Sequence, residues 1–225
     1  MQPCYLPWLG HLRLMAMADH FVFLDDAQYS KNSWANRNKI LLSDGRVVWL
    51  TIPVAREYAS IKLNNIRIDV DARWRRKHSQ TLKQAYGQHP YFSDLNELLN
   101  IIENGTQIFL ADINCDLLHA VAKRCQFRAQ ITRSSNLGIE GRRTERLERI
   151  CEGLHCKSYV STPGAREYLE EDAFGVKSNL QVEYMNIDFP SYPQKSSTTY
   201  VPQMSFLDVL ANVGWDELVQ FLKVQ

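Results

Sequence analysis

Between residues 131 and 188 strand-like and helical textures alternate, and few architectures accept that pattern. ITRSSNL (131–137) reads as a strand and turn, GRRTERLERICEGL (141–154) as a helix, and KSYVS (157–161) as a strand. A Thr-Pro-Gly turn, the helical AREYLEED and the strand-like LQVEYMNID (180–188) follow. Strands separated by helices return in parallel, so the alternation predicts an α/β fold with a Rossmann-like, mostly parallel sheet.

Earlier segments extend the same reading. HLRLMAMADH (11–20) is rich in helix formers, and FVFLD (21–25) is a compact apolar run ending in acid, as a buried strand would be. Two apolar runs around Ser43-Asp44-Gly45, within 38–54, predict a β-hairpin, and SIKLNNIRID (60–69) alternates like a further strand. From Asp71, a candidate N-cap, the chain turns helical up to Pro90, and helices are expected again over 93–105 and roughly 107–125. The chain thus reads as a single α/β domain, 1–225, carrying a helical insertion or cap over 71–126. SFLDVLANVGWDELVQFL closes it with two short helices.

At 225 residues, 45% of them apolar, the chain can bury a sizeable core, and its net charge of +1 supplies no general attraction for nucleic acid or anionic membrane. The run Arg73-Trp74-Arg75-Arg76-Lys77-His78 has the texture of a nucleic-acid contact, which would weaken steeply with salt, but it reads better as a solvated helix face with Trp74 turned inward. No apolar run approaches the ~18 residues of a membrane span, and no leader pattern opens the chain, so a cytoplasmic protein is expected. Its five scattered cysteines form no C-x-x-C and its six histidines no H-E-x-x-H, so reduced thiols and no metal are expected. Cys4 stands out only through its neighbours.

Three stretches carry candidate chemistry. In Gln2–His11, Pro3 and Pro7 stiffen a loop that holds Tyr5 and Trp8, and Gly10 permits close backbone approach as a helix begins. A helix N-terminus is a seat for phosphate or carboxylate. In the second stretch, Asp25 and Asp26 end a strand, where α/β sheets bind ligands. Gln28, Tyr29, Lys31, Asn36, Arg37 and Asn38 add groups suited to carboxylate, phosphate or sugar. In the third, Ser161 and Thr162 end a strand, a Pro-Gly turn brings Gly164, and Arg166 opens a helix, the pattern of an anion cradle. Each stretch also has a plainer reading: a packed lead-in, a solvated loop, an ordinary strand-to-helix connection.

With these residues in view, the chain resembles the WbqC-like protein family, in QPCYLPWLGHL, ADHFVFLDDAQYSKNSWANRNKI, WLTIPV, RWRRKHSQTLKQAYGQHPYF and YVSTPGAREYL. Family members usually carry a few residues before the Gln-Pro that complete a first strand, whereas here Met1 alone precedes it. Position 11 is His where Tyr is more usual. The resemblance implies a role in bacterial surface-polysaccharide or O-antigen synthesis, with transfer of an amino acid such as glycine, or a similar acyl group, onto an amino sugar. Trp8-Leu9-Gly10-His11 is also similar in position to the H-x-G-H motif of nucleotidylyltransferase-type folds, with Trp8 in place of the first His.

From these likenesses an enzyme is expected, a transferase or an ATP-dependent ligase. If ATP drives the reaction, Gly10, His11, Ser161 and Arg166 would cradle phosphates. Asp25 or Asp26 would anchor an ammonium or the sugar, with Mg²⁺ able to join them. Arg37 would clamp an anion, and Asn36 and Asn38 would order the loop. With a pre-activated donor, the cradle would instead hold a nucleotide-sugar acceptor. The alternative is a nucleotide-sugar-binding module without catalysis.

Overall fold

The computed structural model describes residues 1–55, 61–69 and 73–223. After the N-terminal loop come α1 (Leu9–Met17) and β1 (His20–Phe23), then a hairpin of β2 (Arg37–Leu41) and β3 (Val47–Thr51). Three helices follow, α2 (Arg73–Tyr86), α3 (Asn96–Asn104) and α4 (Leu110–Arg124). The last part alternates β4 (Gln130–Arg133), α5 (Arg143–Gly153), β5 (Ser158–Ser161), α6 (Arg166–Glu171) and β6 (Gln181–Tyr184), and α7 (Phe206–Leu222) closes the chain. The candidate cap at Asp71 lies outside the described residues.

The protein is a mixed α/β fold, but the expected continuous sheet is not formed. Among the described residues, β1 pairs with β4 in parallel, β2 with β3 antiparallel, and β5 with β6 in parallel, each as a separate two-stranded unit. A second departure concerns 60–69. The described part is not a strand: Leu63–Asn65 forms a single 3-10 turn between isolated bridges. The Asn64-Asn65 pair favours a turn over a pleat. Its backbone donors are spent on the β1 end, Leu63 N–H to the Ala27 carbonyl at 2.8 Å and Asn64 N–H to the Asp25 carbonyl at 2.7 Å.

One core joins most of these elements. Leu12 and Met15 of α1, Phe21 and Phe23 of β1, and Ile40 and Leu50 of the hairpin meet Leu82, Leu98 and Leu118 of the three central helices. Burying side chains of this size stabilises by roughly 1.5–3 kcal/mol each before the entropy of ordering them is subtracted. A smaller apolar group, centred on Leu169, Phe174 and Leu180, supports the β5–β6 pair. Arg13 ties α1 to the far end of the chain: its guanidinium donates to the carbonyls of Asn186 at 2.7 Å and Phe221 at 2.5 Å and lies over the Phe189 ring.

The closing helix breaks in two, as the sequence texture suggests. Ser205 caps its start, accepting the Leu207 N–H. Gly214 interrupts it with φ +77° and ψ 177°, a conformation essentially confined to glycine. A Cβ at this position would lie 2.6 Å from the Tyr91 ring. Gly214→Ala therefore meets both strain and a clash, and we expect it to destabilise the protein by about 1–3 kcal/mol in urea unfolding. An unchanged midpoint would show that the kink is not required.

Candidate functional site

The first residues are held by amides rather than by charge. Asn38 donates through Nδ2 to the carbonyls of Leu6 (2.8 Å) and Tyr5 (3.3 Å), and Asn114 of α4 donates to those of Ala35 (2.7 Å) and Pro3 (3.0 Å). Tyr5 N–H reaches the Trp34 carbonyl at 2.9 Å, and the Tyr5 hydroxyl meets His78 Nδ1 at 2.9 Å. Asn36 donates to the Ile52 carbonyl. This bracing holds Leu6 at φ +43°, which a branched residue adopts only when its surroundings impose it. Tyr5, Asn36 and Asn38 are thus buried struts that set the path of the loop.

Trp8 and Gly10 pack together. The Trp8 ring meets Phe189 edge-on and covers Gly10 so closely that a Cβ there would lie 2.3 Å from the indole. His11 is 3% exposed against Phe21, and burial pushes its pKa down to about 3. It is therefore a neutral imidazole at neutral pH, without a charge to offer phosphate. Burial likewise pushes the Cys4 thiol up to about 12, which leaves almost no thiolate.

Asp25 and Asp26 sit where β1 and β4 end side by side. Asp25 Oδ1 accepts the Ser135 N–H at 3.0 Å and the Ser134 hydroxyl at 3.2 Å, and Oδ2 accepts the Ser135 hydroxyl at 2.7 Å. Asp26 accepts the Ser134 hydroxyl and pairs with Arg146 of α5 at 2.6 Å. Burial alone would raise the Asp26 pKa, but the bonds from Arg146 and Ser134 hold it below the ordinary value. Every carboxylate oxygen of the pair is already engaged. The pair therefore does not fit the role of magnesium ligands, and among the described residues no three His, Cys, Asp or Glu gather as a metal group. A second ion pair, Arg133–Asp112 at 2.6 Å, lies at the same end of β4.

Gln28 and Tyr29 belong to the pairing that closes this turn: Gln28 bridges to Lys62, and Tyr29 N–H donates to the Ile61 carbonyl. Arg37 points elsewhere, lying 4.3 Å over the ring of Trp49, which in turn meets Trp34 at 5.5 Å. In the third stretch, Ser161 ends β5 and Thr162 leads into a one-turn 3-10 helix, Pro163–Ala165. A Cβ on Gly164 would meet nothing within 4 Å, and Arg166 lies 4.0 Å from the Tyr184 ring centre with Glu170 nearby. The space beside Gly164 is open.

A cavity of about 640 Å³ brings two of the three stretches together. It runs between β1 and β5, with Gln2, Leu24, Ser161 and Thr162 among its lining residues. Asp19, just before β1, and Cys156, just before β5, both line it. Gln2, beside the end of β1, and Ser161–Thr162, at the end of β5, line it as well. Trp8, Gly10, His11, Arg37, Gly164 and Arg166 do not line it.

The residues that sequence reasoning missed are the partners. Ser134 and Ser135 were legible only as part of a strand and turn, and Arg146 only as part of a helix. The available signal was their place after a second strand, since ligand sites gather where parallel strands end together.

Residues 2–220 match the model of the WbqC-like protein family. The chain belongs to the WbqC-like protein family. It is also 32% identical over 218 residues to the uncharacterized protein Rv1507c of Mycobacterium tuberculosis (strain ATCC 25618 / H37Rv), covering 95% of this chain and 92% of that protein. No solved structure matches. Among the described residues no helix is long and apolar enough to cross a membrane.

In this WbqC-like protein the buried imidazoles have a measurable consequence. His11, held at about 3, and His78, held down to about 4 mainly by burial, bind protons only once unfolded in the interval below the ordinary 6.5. Stability is thus fully present above pH 6.5 and falls as the pH drops toward 4. Each imidazole contributes up to about 1.4 kcal/mol per pH unit to that slope. His11→Leu should flatten the decline in urea-unfolding free energy between pH 6 and 4.5 by roughly one such increment. An unchanged slope would mean that His11 titrates normally in the fold.

Proposed function

We propose that the protein joins an amino acid, glycine first among candidates, or a similar acyl group, to the amine of an amino sugar during synthesis of a bacterial surface glycan. Membership of the WbqC-like family, with the role that family resemblance implies, supports the reading. The observation that carries it is the common mouth formed by Gln2 and Ser161–Thr162 at the carboxyl ends of β1 and β5. In this reading the two parallel pairs are halves of a Rossmann-like sheet, with the ligand at its carboxyl edge.

Amide formation needs an activated carboxylate. If ATP supplies the activation, the carboxylate oxygen attacks the α-phosphorus and pyrophosphate leaves. The sugar amine then attacks the acyl carbon, AMP leaves, and the amine gives up a proton. The chain's part is to hold charge and exclude water. The open backbone at Gly164, with Arg166 beside it, takes the phosphates. Gln2 and Thr162 orient the reacting groups at the mouth. Asp25 fixes the turn, and the Asp26–Arg146 pair forms its polar wall. Neither His11 nor magnesium has an assigned role, and Arg37 stands apart.

A binding module is the second reading, favoured by one surface. Trp34 and Trp49, 50% and 44% exposed, present two aromatic rings tilted 37° to each other, with Arg37 over the Trp49 ring. A nucleobase or sugar ring stacks on such a face. This reading has saturable nucleotide-sugar binding, visible as quenched tryptophan fluorescence, and no turnover.

Amino-acid-dependent ATP–pyrophosphate exchange, run with and without an amino-sugar acceptor, tests the first reading. We expect exchange above background with glycine, and a loss of at least about tenfold in Arg166→Ala and Gly164→Asp at unchanged thermal midpoint. Silence under both conditions would remove ATP activation. Silence also with pre-activated acyl donors, beside saturable nucleotide-sugar binding, would leave the binding module.

A further inference from the structure

Strand alternation gives the β2–β3 hairpin two faces. Asn38, Ile40 and Leu50 are buried, so Arg37, Lys39, Val47, Trp49 and Thr51 share the outer face. The register sets Lys39 directly opposite Trp49 and Arg37 opposite Thr51, one diagonal step from the indole. The pairing that builds the hairpin thus gathers two cations around an aromatic ring that is nearly half exposed.

Trp34 joins this surface from the loop before β2. Its carbonyl accepts the Tyr5 N–H, the Ala35 carbonyl accepts Asn114 Nδ2 at 2.7 Å, and the Asn36 carbonyl accepts the Ile52 N–H at 2.8 Å. The backbone is therefore pinned, while the half-exposed indole meets no ring but Trp49 among the described residues. Such a platform loses little freedom when a ligand settles on it. Arg37 lies 4.3 Å over the Trp49 ring and Lys39 Nζ 5.9 Å from its centre, which holds both charges beside the rings. Among the described residues neither cation has a carboxylate partner, and Arg37 Nε is buried without a hydrogen-bond partner. The fold leaves the bonding capacity of that guanidinium unspent, and phosphate oxygens match its planar fork.

We infer that this face is a nucleoside diphosphate site, with the base stacked on Trp34 and the two phosphates against Arg37 and Lys39. Each half of the ligand answers one half of the surface: an indole accepts the face of any base, and guanidinium and ammonium accept phosphate oxygens. Arg37 and Trp34 stand 4.3 Å and 5.5 Å from the same indole, so ring and cations fall within the span of one nucleotide. An uncharged sugar would use the rings alone and leave both cations unanswered. This site rests on the binding reading of the same two tryptophans, and it adds the class of ligand and a role for Arg37 and Lys39. It needs no group at Gly164 or Arg166 and no amide formation.

Isothermal titration calorimetry with uridine and adenosine diphosphates, the two free nucleosides and inorganic pyrophosphate tests the site without relying on tryptophan fluorescence. We expect both diphosphates to bind, and the nucleosides to bind at least about tenfold more weakly. Trp34→Ala should weaken the diphosphates at least about fivefold. Arg37→Gln should weaken them about tenfold and leave the nucleosides unchanged. Lys39→Gln, which keeps Arg37 over Trp49, should act in the same direction and carries the test if Arg37→Gln lowers the thermal midpoint. Equal affinity for nucleoside and diphosphate would overturn the placement of the phosphates while leaving a face that binds rings. Pyrophosphate bound as tightly as the diphosphates would overturn the stacking on Trp34. Silence with every probe would remove both this site and the binding module. Binding lost in Arg166→Ala but kept in Trp34→Ala and Arg37→Gln would move the nucleotide to the third stretch and overturn the site.

Discussion

A carboxylate that is 1% exposed and forms no ion pair among the described residues must be satisfied by hydrogen bonds, and Asp25 is satisfied entirely by one turn. Its side chain takes both serines after β4, while its own carbonyl takes Asn64. Three segments distant in sequence are therefore locked at the end of β1. Removing the Ser135 hydroxyl would leave the buried Oδ2 acceptor unpaired, at about 1–3 kcal/mol. Asp26 inherits its position from this node, and through Arg146 it brings α5 against the same edge. The acidic pair that looks catalytic in sequence is divided: Asp25 builds the turn, and Asp26 pairs with Arg146.

The opposite side of the site is braced by neutral amides. Asn38 and Asn114 hold the proline loop by its carbonyls, which fixes direction without adding charge. That choice is consistent with the buried neutral imidazoles of His11 and His78 nearby. The residues that make the opening of the chain distinctive are largely the frame of the site. Gln2, Thr162 and Gly164 are instead partly or fully exposed.

Frame and sheet are linked through Met1. The loop that Asn38 and Asn114 hold begins at a residue paired with β1, and the cavity beside that residue separates the two parallel pairs.

Local pattern determined much of this protein. The strand-helix alternation after residue 130, the hairpin around Asp44-Gly45 and the broken closing helix all arise from periodicity and turn chemistry over a few residues, and such signals survive without a tertiary context. The turn at Leu63–Asn65 was not legible, because its donors serve Asp25 and Ala27, partners far away in sequence. Nor was the division of labour in the candidate site. Asp25, His11 and Arg37 carry reactive groups by residue type, but burial, hydrogen-bond partners and direction decide whether a group is available, and those are properties of the packed chain. The sequence alone determined most of the elements, though not the turn at Leu63–Asn65, and which polar residues follow the strands. Only the tertiary structure decided which strands meet, which carboxylates are already engaged, and where a gap remains, because long-range pairing depends on segments that the local pattern cannot see.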